Sequence, residues 1–264
     1  MMMIDSDSPN KTNQVQKRRH PLRWVAALLI LLAVGWCFLQ WQLWGIQVTV
    51  TQVGVHGLPD GFEGLRIVQI SDLHGHEYGQ DSEALLALVA QQVPEFIVVT
   101  GDLIDQESHL AMVPALARGL AAIAPTYYVT GNHEWAVGGV PRLKGILTEC
   151  GVTVLSNQYV TLERNGDSLV LAGVDDPNGY ADQKTPEELY GEIQREAGDL
   201  CTILLAHRND RFGQYAAAGY DLVISGHAHG GIVRLPFTDG LLGTDRKLFP
   251  TWTAGVYTLS LIHI

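Results

Sequence analysis

The pattern that most constrains this chain is a series of five polar blocks, each placed directly after a short apolar run. Asp72-Leu73-His74 follows Leu65 to Ile70, Gly101-Asp102-Leu103-Ile104-Asp105 follows Phe96 to Thr100, and Gly131-Asn132-His133-Glu134 follows Thr126 to Thr130. Ala206-His207-Arg208 then follows Thr202 to Leu205, and Gly226-His227-Ala228-His229-Gly230 follows Leu222 to Ser225. Short apolar runs bounded by turn residues read as buried strands. Side chains at the C-terminal ends of such strands can converge on one rim of a sheet. Five of the ten His residues lie inside the blocks.

The stretches between the runs supply helices. Ser82 to Gln92 carries Leu85, Leu86, Leu88 and Val89 at helical spacing, and Leu110 to Ile123 and Arg142 to Cys150 also read as helices. Thr185-Pro186-Glu187-Glu188 opens a helix that runs to Glu196, with Pro at its first position. Val48 to Thr51 alternates as a strand does, and Val152 to Leu155 reads as a further strand. Val160 to Arg164 and Ser168 to Ala172 form a hairpin across Asn165-Gly166. Strands alternating with helices and followed by hairpins predict an α/β domain with a mixed sheet.

The N-terminal segment is different. Lys17, Arg18, Arg19 and Arg23 lead into an apolar stretch from Leu22 through Leu39 that continues through Trp41, Leu43 and Trp44. About 20 apolar residues span a bilayer as a helix. Basic residues before it and Trp36, Trp41 and Trp44 near its exit match the positive-inside rule and an interfacial aromatic belt. A cleaved signal peptide shares the basic start and apolar core, but Gln40-Trp41-Gln42-Leu43-Trp44 is too bulky for a cleavage site. The expectation is therefore a disordered cytoplasmic segment over 1–21, a single-pass anchor over 22–46 and an extracytoplasmic folded domain over 47–258. Residues 259–264, Leu-Ser-Leu-Ile-His-Ile, match the translation of a transposon end used in preparing sequencing libraries. They read as an adapter scar on a C-terminally truncated domain, so His263 is not counted as a ligand.

Composition narrows the partners. The net charge is −11, and without residues 1–46 the chain keeps 12 basic and 26 acidic side chains, a formal charge of −14. An acidic body argues against non-specific nucleic-acid binding. A phosphorylated substrate is still compatible, because bound divalent cations reverse the local sign. Cys37, Cys150 and Cys201 form no disulfide framework, and none lies in a block, which points away from a structural zinc site.

The blocks carry metal-ligand chemistry. Asp72 and His74 are two apart, as are His227 and His229, so each pair can present two ligands from one strand exit. Asp102 follows a glycine after a β-rich run and is the natural bridging carboxylate, while Asn132 offers a neutral carbonyl oxygen. Carboxylate, amide and imidazole ligands without thiolate suit two divalent ions, manganese, iron or zinc. Arg208, beside His207, is read either as a phosphate contact or as a surface salt bridge. Glu134 is read as orienting a loop, and Asp105 either as a helix cap or as part of the site.

The five blocks in this order resemble those of the calcineurin-like metallophosphoesterases, over about Leu65 to Gly231. Val68-Gln69-Ile70-Ser71-Asp72-Leu73-His74 and the run from Gly226 to Gly231 are similar to the membrane-anchored bacterial branch. Asn209 stands where relatives often have Pro. The resemblance implies a four-layer α/β/β/α sandwich. It assigns Asp72, His74, Asp102 and His229 to one ion and Asp102, Asn132, His207 and His227 to a second. A water or hydroxide between the ions would attack phosphorus in line. His133 would protonate the leaving group, and Asp105 would hydrogen-bond that imidazole.

An anchor favours a membrane-associated or lipid-linked phosphoester or pyrophosphate, such as a UDP-diacylglucosamine-like molecule. A cytoplasmic sugar nucleotide would conflict with the inferred orientation. The other readings are a nucleotidase, a phosphoprotein phosphatase or a metal-stabilised binding module without catalysis.

Overall fold

The computed structural model describes residues 21–181, 183–234 and 240–258. The expectations for 1–20, a disordered cytoplasmic segment, and for 259–264, an adapter scar, lie outside the described residues. The chain divides into two compact units, Met1–Gln47 and Val48–Ile264.

Within the first unit, α1 (Pro21–Trp44) is one continuous helix. Its stretch Leu22–Trp41, 20 residues, is long and apolar enough to cross a membrane.

The second unit is built on two four-stranded sheets. In the first, β1 (Ile67–Ile70), β2 (Phe96–Val99), β3 (Thr126–Tyr128) and β4 (Thr153–Val154) lie side by side in that order, all parallel. Helix α2 (Glu83–Gln91) connects β1 to β2, and α3 (Val113–Ile123) connects β2 to β3. Two helices, α4 (Asn132–Val137) and α5 (Val140–Glu149), connect β3 to β4. In the second sheet, β5 (Gln158–Arg164) pairs antiparallel with β6 (Asp167–Gly173), which is followed by α6 (Pro186–Glu196). β7 (Thr202–Arg208) and β8 (Leu222–Gly226) then run parallel to β6, with α7 (Phe212–Ala218) between them. A short antiparallel pair, β9 (Val233–Arg234) and β10 (Gly240–Leu242), follows.

Alternation along the strands sorts side chains into layers. Phe96 and Val98 of β2, Leu169 and Leu171 of β6, and Ile203 and Leu205 of β7 share one core with Val129 and Leu155. The opposite faces of β6 and β7, through Val170, Ala172, Leu204 and Ala206, pack on Leu189 and Ile193 of α6 and Tyr215 of α7. On the first sheet, Val99 and Tyr128 meet Val113, Leu116, Leu120 and Leu147 of α3 and α5. The result is helix, sheet, sheet, helix, as the resemblance implied. Strands β2, β6 and β7 read as near-continuous apolar runs because both of their faces are covered.

Three local differences have physical reasons. Val48 to Thr51 is not a strand: it pairs with no strand among the described residues, and Val50 is 81% exposed. Alternation supplies propensity but not a ladder partner. The helix expected from Leu110 to Ile123 is broken into a 3-10 turn at Glu107–Ala111 and α3, because Pro114 lacks an N–H and fits only a first turn. Helices α4 and α7 have six and seven residues, too short to show a helical period. At the β5–β6 turn, Asn165 and Gly166 both take positive φ (53° and 89°), the conformation the hairpin signal requires.

Candidate metal centre

Parallel pairing brings the ends of β1, β2 and β3 level, with Ile70 beside Val99 and Val99 beside Tyr128. Gln69 and His207 are among the side chains that join this rim to the second sheet. Gln69 Nε2 donates to Thr100 Oγ1 at 2.9 Å and to the Ser225 carbonyl at 2.8 Å. His207 Nδ1 lies 2.7 Å from the Thr100 carbonyl. The exits of β7 and β8 therefore face those of β1 and β2.

The exit loops turn sharply, and the residues that turn are the predicted ligands. Asp72, His74, Asp102, His227 and His229 all have left-handed φ, between 49° and 69°. A non-glycine residue there costs about 1–2 kcal/mol. Such strain is characteristic of functional sites. The loops are stitched together by backbone: Asp72 N–H donates to the Gly101 carbonyl at 3.0 Å, and His74 N–H to the Asp102 carbonyl at 2.9 Å. Gly101 (φ 90°) packs so closely on Gly131 that a side chain on either would collide with the other's loop.

Glu134 organises the floor of the site. It is fully buried, and its two oxygens accept from four backbone N–H groups. Oε1 takes those of Leu103 (2.6 Å) and Ile104 (3.2 Å), and Oε2 those of Asp102 (3.0 Å) and Gly131 (2.7 Å). Burial and the nearby Asp102 push its carboxyl up to about 7, against the pull of these donors.

Asp102 lies at the centre. Its Oδ1 accepts the His133 backbone N–H at 2.8 Å. Its Oδ2 is buried with no aligned hydrogen-bond partner, although His207 Nε2 lies 3.2 Å away and His74 Nε2 3.9 Å away. Because His207 Nδ1 donates to a carbonyl, its Nε2 is an acceptor in the neutral ring, and it also faces Asn132 Oδ1 at 3.2 Å. Acceptors turned toward one another in this way call for a positive charge between them. The site responds in that sense. Burial opposes ionisation of Asp102, yet His207 holds its carboxyl below the usual range. Burial likewise opposes charge on His207, but Asp102 raises its pKa.

On one side of Asp102, His74 Nε2 lies 3.3 Å from His229 Nε2, and the two rings stack at 5.0 Å. His229 Nε2 is 3.5 Å from Asp72 Oδ1. On the other side, the His207 and His227 rings meet edge to face at 5.0 Å, and His227 N–H donates to both oxygens of Asp72 at 3.2 and 3.1 Å. Burial, His207 and Arg208 lower the His227 pKa to about 4, so its ring is a neutral donor of a lone pair at physiological pH. Three sets of donor atoms, Asp72/His74/His229, His74/Asp102/His133 and Asp102/His207/His227, each lie within 4.8 Å of one another and could hold a metal ion. Oxygen and imidazole donors without thiolate fit divalent first-row ions.

The left-handed ligands imply a trade between stability and metal binding. Replacing His229, which is 35% exposed, by Gly relieves its backbone and removes a donor. His229→Gly is expected to melt no lower than the parent in EDTA, with about 1 kcal/mol gained, and below it in excess Mn²⁺. Thermal melts in the two buffers check the crossover.

The structure brings together seven predicted ligands and His133, whose ring lies edge-on to His74 at 4.6 Å. It does not bring Asp105 to His133. Asp105 Oδ1 instead lies 2.9 Å from His109 Nδ1, four residues on, and Gln106 rather than Asp105 caps the 3-10 turn there. The turn directs Asp105 back along its own segment. Arg208 is neither a free arm nor an exposed salt bridge: Asp176, fully buried, grips its guanidinium. The sequence reading missed Asp176 and its neighbour Asp175, although they follow β6 just as the five blocks follow their strands. Asp175 serves packing, bonded to Lys144 Nζ at 2.6 Å and to Ser156 Oγ.

Buried oxygen and imidazole donors at the strand ends of an α/β/β/α sandwich define a metal-dependent phosphoesterase. Residues 65–231 match the model of the calcineurin-like phosphoesterase family, and the chain belongs to that family. YkuE, an uncharacterized metallophosphoesterase of Bacillus subtilis, is 32% identical over 215 residues, covering 78% of this chain and 72% of YkuE. A transmembrane protein with metallophosphoesterase domain from Bos taurus is 32% identical over 197 residues, covering 70% of this chain and 44% of its own length. The chain thus spans less than half of that relative. Among solved structures, TT1561 of Thermus thermophilus superposes with a TM-score of 0.46 at 18% identity, covering 61% of this chain and 81% of that one.

Proposed function

We propose that the chain hydrolyses phosphodiesters or pyrophosphates with two divalent ions. In this reading Asp72, His74, Asp102 and His229 hold one ion, and Asp102, Asn132, His207 and His227 hold the other. The observation that carries it is the environment of Asp102 Oδ2, buried and ringed by donors from both sides without an aligned hydrogen bond. Bound there, such ions polarise a phosphoryl oxygen and lower the pKa of water.

The protein's own groups do the rest. His133 is fixed through its backbone N–H on Asp102 and its ring against His74, half-buried at the mouth of the site, where it can pass a proton to the leaving-group oxygen. Arg208 supplies a positive charge for the phosphoryl group. The helix Leu22–Trp41 anchors the chain in a membrane, with the domain on the extracytoplasmic side, which favours a membrane-associated or lipid-linked phosphoester or pyrophosphate over a cytoplasmic sugar nucleotide.

His133→Ala tests the chemistry. It is expected to retain both metal ions while hydrolysing bis-p-nitrophenyl phosphate about 10²–10⁴-fold more slowly. Unchanged turnover at full metal content would remove His133 from the reaction. Comparing lipid-linked pyrophosphates with water-soluble diesters and monoesters on the Mn²⁺-loaded chain tests the substrate class.

A further inference from the structure

Thr130 stands between the two sheets at the rim of the site. It directly precedes Gly131-Asn132-His133, and it is fully buried. A hydroxyl has one proton and two lone pairs, and the partners of Thr130 Oγ1 engage all three. The proton goes to Asp175 Oδ1 at 2.7 Å, the carboxylate whose other oxygen is paired with Lys144 Nζ at 2.6 Å. The lone pairs take the Trp135 Nε1–H at 2.9 Å and the Asp176 backbone N–H at 3.0 Å, groups that only donate. With these partners the hydroxyl has a single satisfied orientation.

The two donors belong to different parts of the site. Trp135 lies on α4, the helix that begins with Asn132 and His133 and follows β3 of the first sheet. Asp176 leads instead to Arg208, at the end of β7 in the second sheet. Its Oδ2 and Oδ1 accept Arg208 Nε and Nη2 at 2.7 and 3.3 Å. The rest of Asp176 is tied down as well. Oδ1 also accepts the Asn178 N–H at 2.9 Å, and the Asp176 carbonyl accepts the Gly179 N–H and Gln183 Nε2, both at 2.9 Å. The Asp176 side chain is 0% exposed and that of Arg208 is 18% exposed, so the pair is held inside while part of the arginine reaches solvent. A two-point carboxylate–guanidinium pair fixes the plane of the arginine. Thr130 Oγ1 is thus one hydrogen bond from α4 and one hydrogen bond from the residue that grips Arg208.

We infer that Thr130 is a positioning residue, whose hydroxyl sets where Arg208 stands relative to α4 and its residues Asn132 and His133. The phosphate contact and the leaving-group acid are then held in register before substrate binds, and small displacements between such groups are costly. The inference rests on Arg208 contacting the phosphoryl group, as proposed above.

The test uses the full chain in detergent, loaded with Mn²⁺ and titrated with inorganic phosphate by calorimetry below the melting temperature of each variant. Thr130→Val keeps the volume and removes all three hydroxyl bonds. It is expected to keep its Mn²⁺ and to bind phosphate about tenfold more weakly. With bis-p-nitrophenyl phosphate, its KM should rise by more than its kcat falls. Thr130→Ser keeps the hydroxyl and should bind phosphate within about threefold of the parent. Arg208→Met should also lose about tenfold, and adding Thr130→Val to it should cost less than about twofold more, since residues acting through one another are not additive. A purely structural role would lower the melting temperature and leave the phosphate affinity of the folded chain unchanged.

Unchanged phosphate affinity in Thr130→Val, beside weakened binding in Arg208→Met, overturns the positioning role and leaves Arg208 in place. Additive losses in the double variant, a Thr130→Ser as weak as Thr130→Val, or loss of Mn²⁺ from Thr130→Val overturn it as well. Unchanged phosphate affinity in Arg208→Met removes the phosphate contact from the proposed function, and the role of Thr130 with it. Should valine prevent folding, Thr130→Cys supplies a weak donor and acceptor in nearly the same volume, with binding about threefold weaker expected. Parent-like affinity in that variant overturns the inference.

Discussion

Asp102→Asn is expected to reduce phosphodiester turnover by about 10³-fold or more while leaving the metal-free fold at least as stable as the parent. The activity loss follows from the position of Asp102, the carboxylate that belongs to two of the three donor sets among the described residues. Losing ion-based charge stabilisation costs several kcal/mol of barrier, and each 1.36 kcal/mol is about a factor of ten. The stability result follows from hydrogen bonding. Oδ1 would still accept the His133 N–H, and an amide at Oδ2 would donate to His207 Nε2, 3.2 Å away, where the carboxylate has nothing to give. It would also remove a charge beside buried Glu134. Kinetics with bis-p-nitrophenyl phosphate and melting in EDTA measure the two effects separately. A variant that melts well below the parent in EDTA would mean that Asp102 is chiefly structural.

Glu134→Ala carries the largest expected stability cost, about 4 kcal/mol or more. Four backbone N–H groups converge on this carboxylate, and none can turn to water, since Glu134 is 0% exposed. Each buried donor left unsatisfied costs about 1–3 kcal/mol, with partial relief if water enters the gap. A domain holds about 5–15 kcal/mol in all, so the variant approaches the limit of folding. A fall in melting temperature of about 10 °C is expected. Glu134→Gln should recover only part of it, because its amide presents donors to two N–H groups that need an acceptor. Equal melting of Glu134→Gln and the parent would show that the charge and acceptor count of this residue do not matter. Mn²⁺ affinity should fall in parallel, because these N–H groups hold the loops that bear Asp102 and Asn132.

How legible the site is from sequence depends on the range of the interaction. Each apolar run and its polar block are contiguous, so the order of strands and the ligands at their ends can be read directly. Asn165-Gly166 and Thr185-Pro186-Glu187-Glu188 are equally local, and both formed as read, the second with Thr185 Oγ1 accepting the Glu188 N–H at 3.2 Å. Helix α4 was not read, yet it carries Asn132 and His133. Six residues show no period, and what holds its start is Glu134 reaching back to the Gly131 N–H at 2.7 Å. Val48 to Thr51 fails in the opposite way: its alternation suits a strand, but pairing needs a neighbour elsewhere in the chain.

From sequence alone came the kind of chemistry, because a metal site is specified by which donor atoms are available and by their place at strand ends. Only the tertiary structure decided how the charged side chains pair. Asp105 turns to His109 within its own segment, Arg208 is gripped by Asp176, and His207 is oriented by the Thr100 carbonyl 107 residues away. Such pairings depend on distance, direction and burial once the two sheets have closed on each other. A polar side chain's neighbours in sequence do not specify these, so its partner is settled by packing.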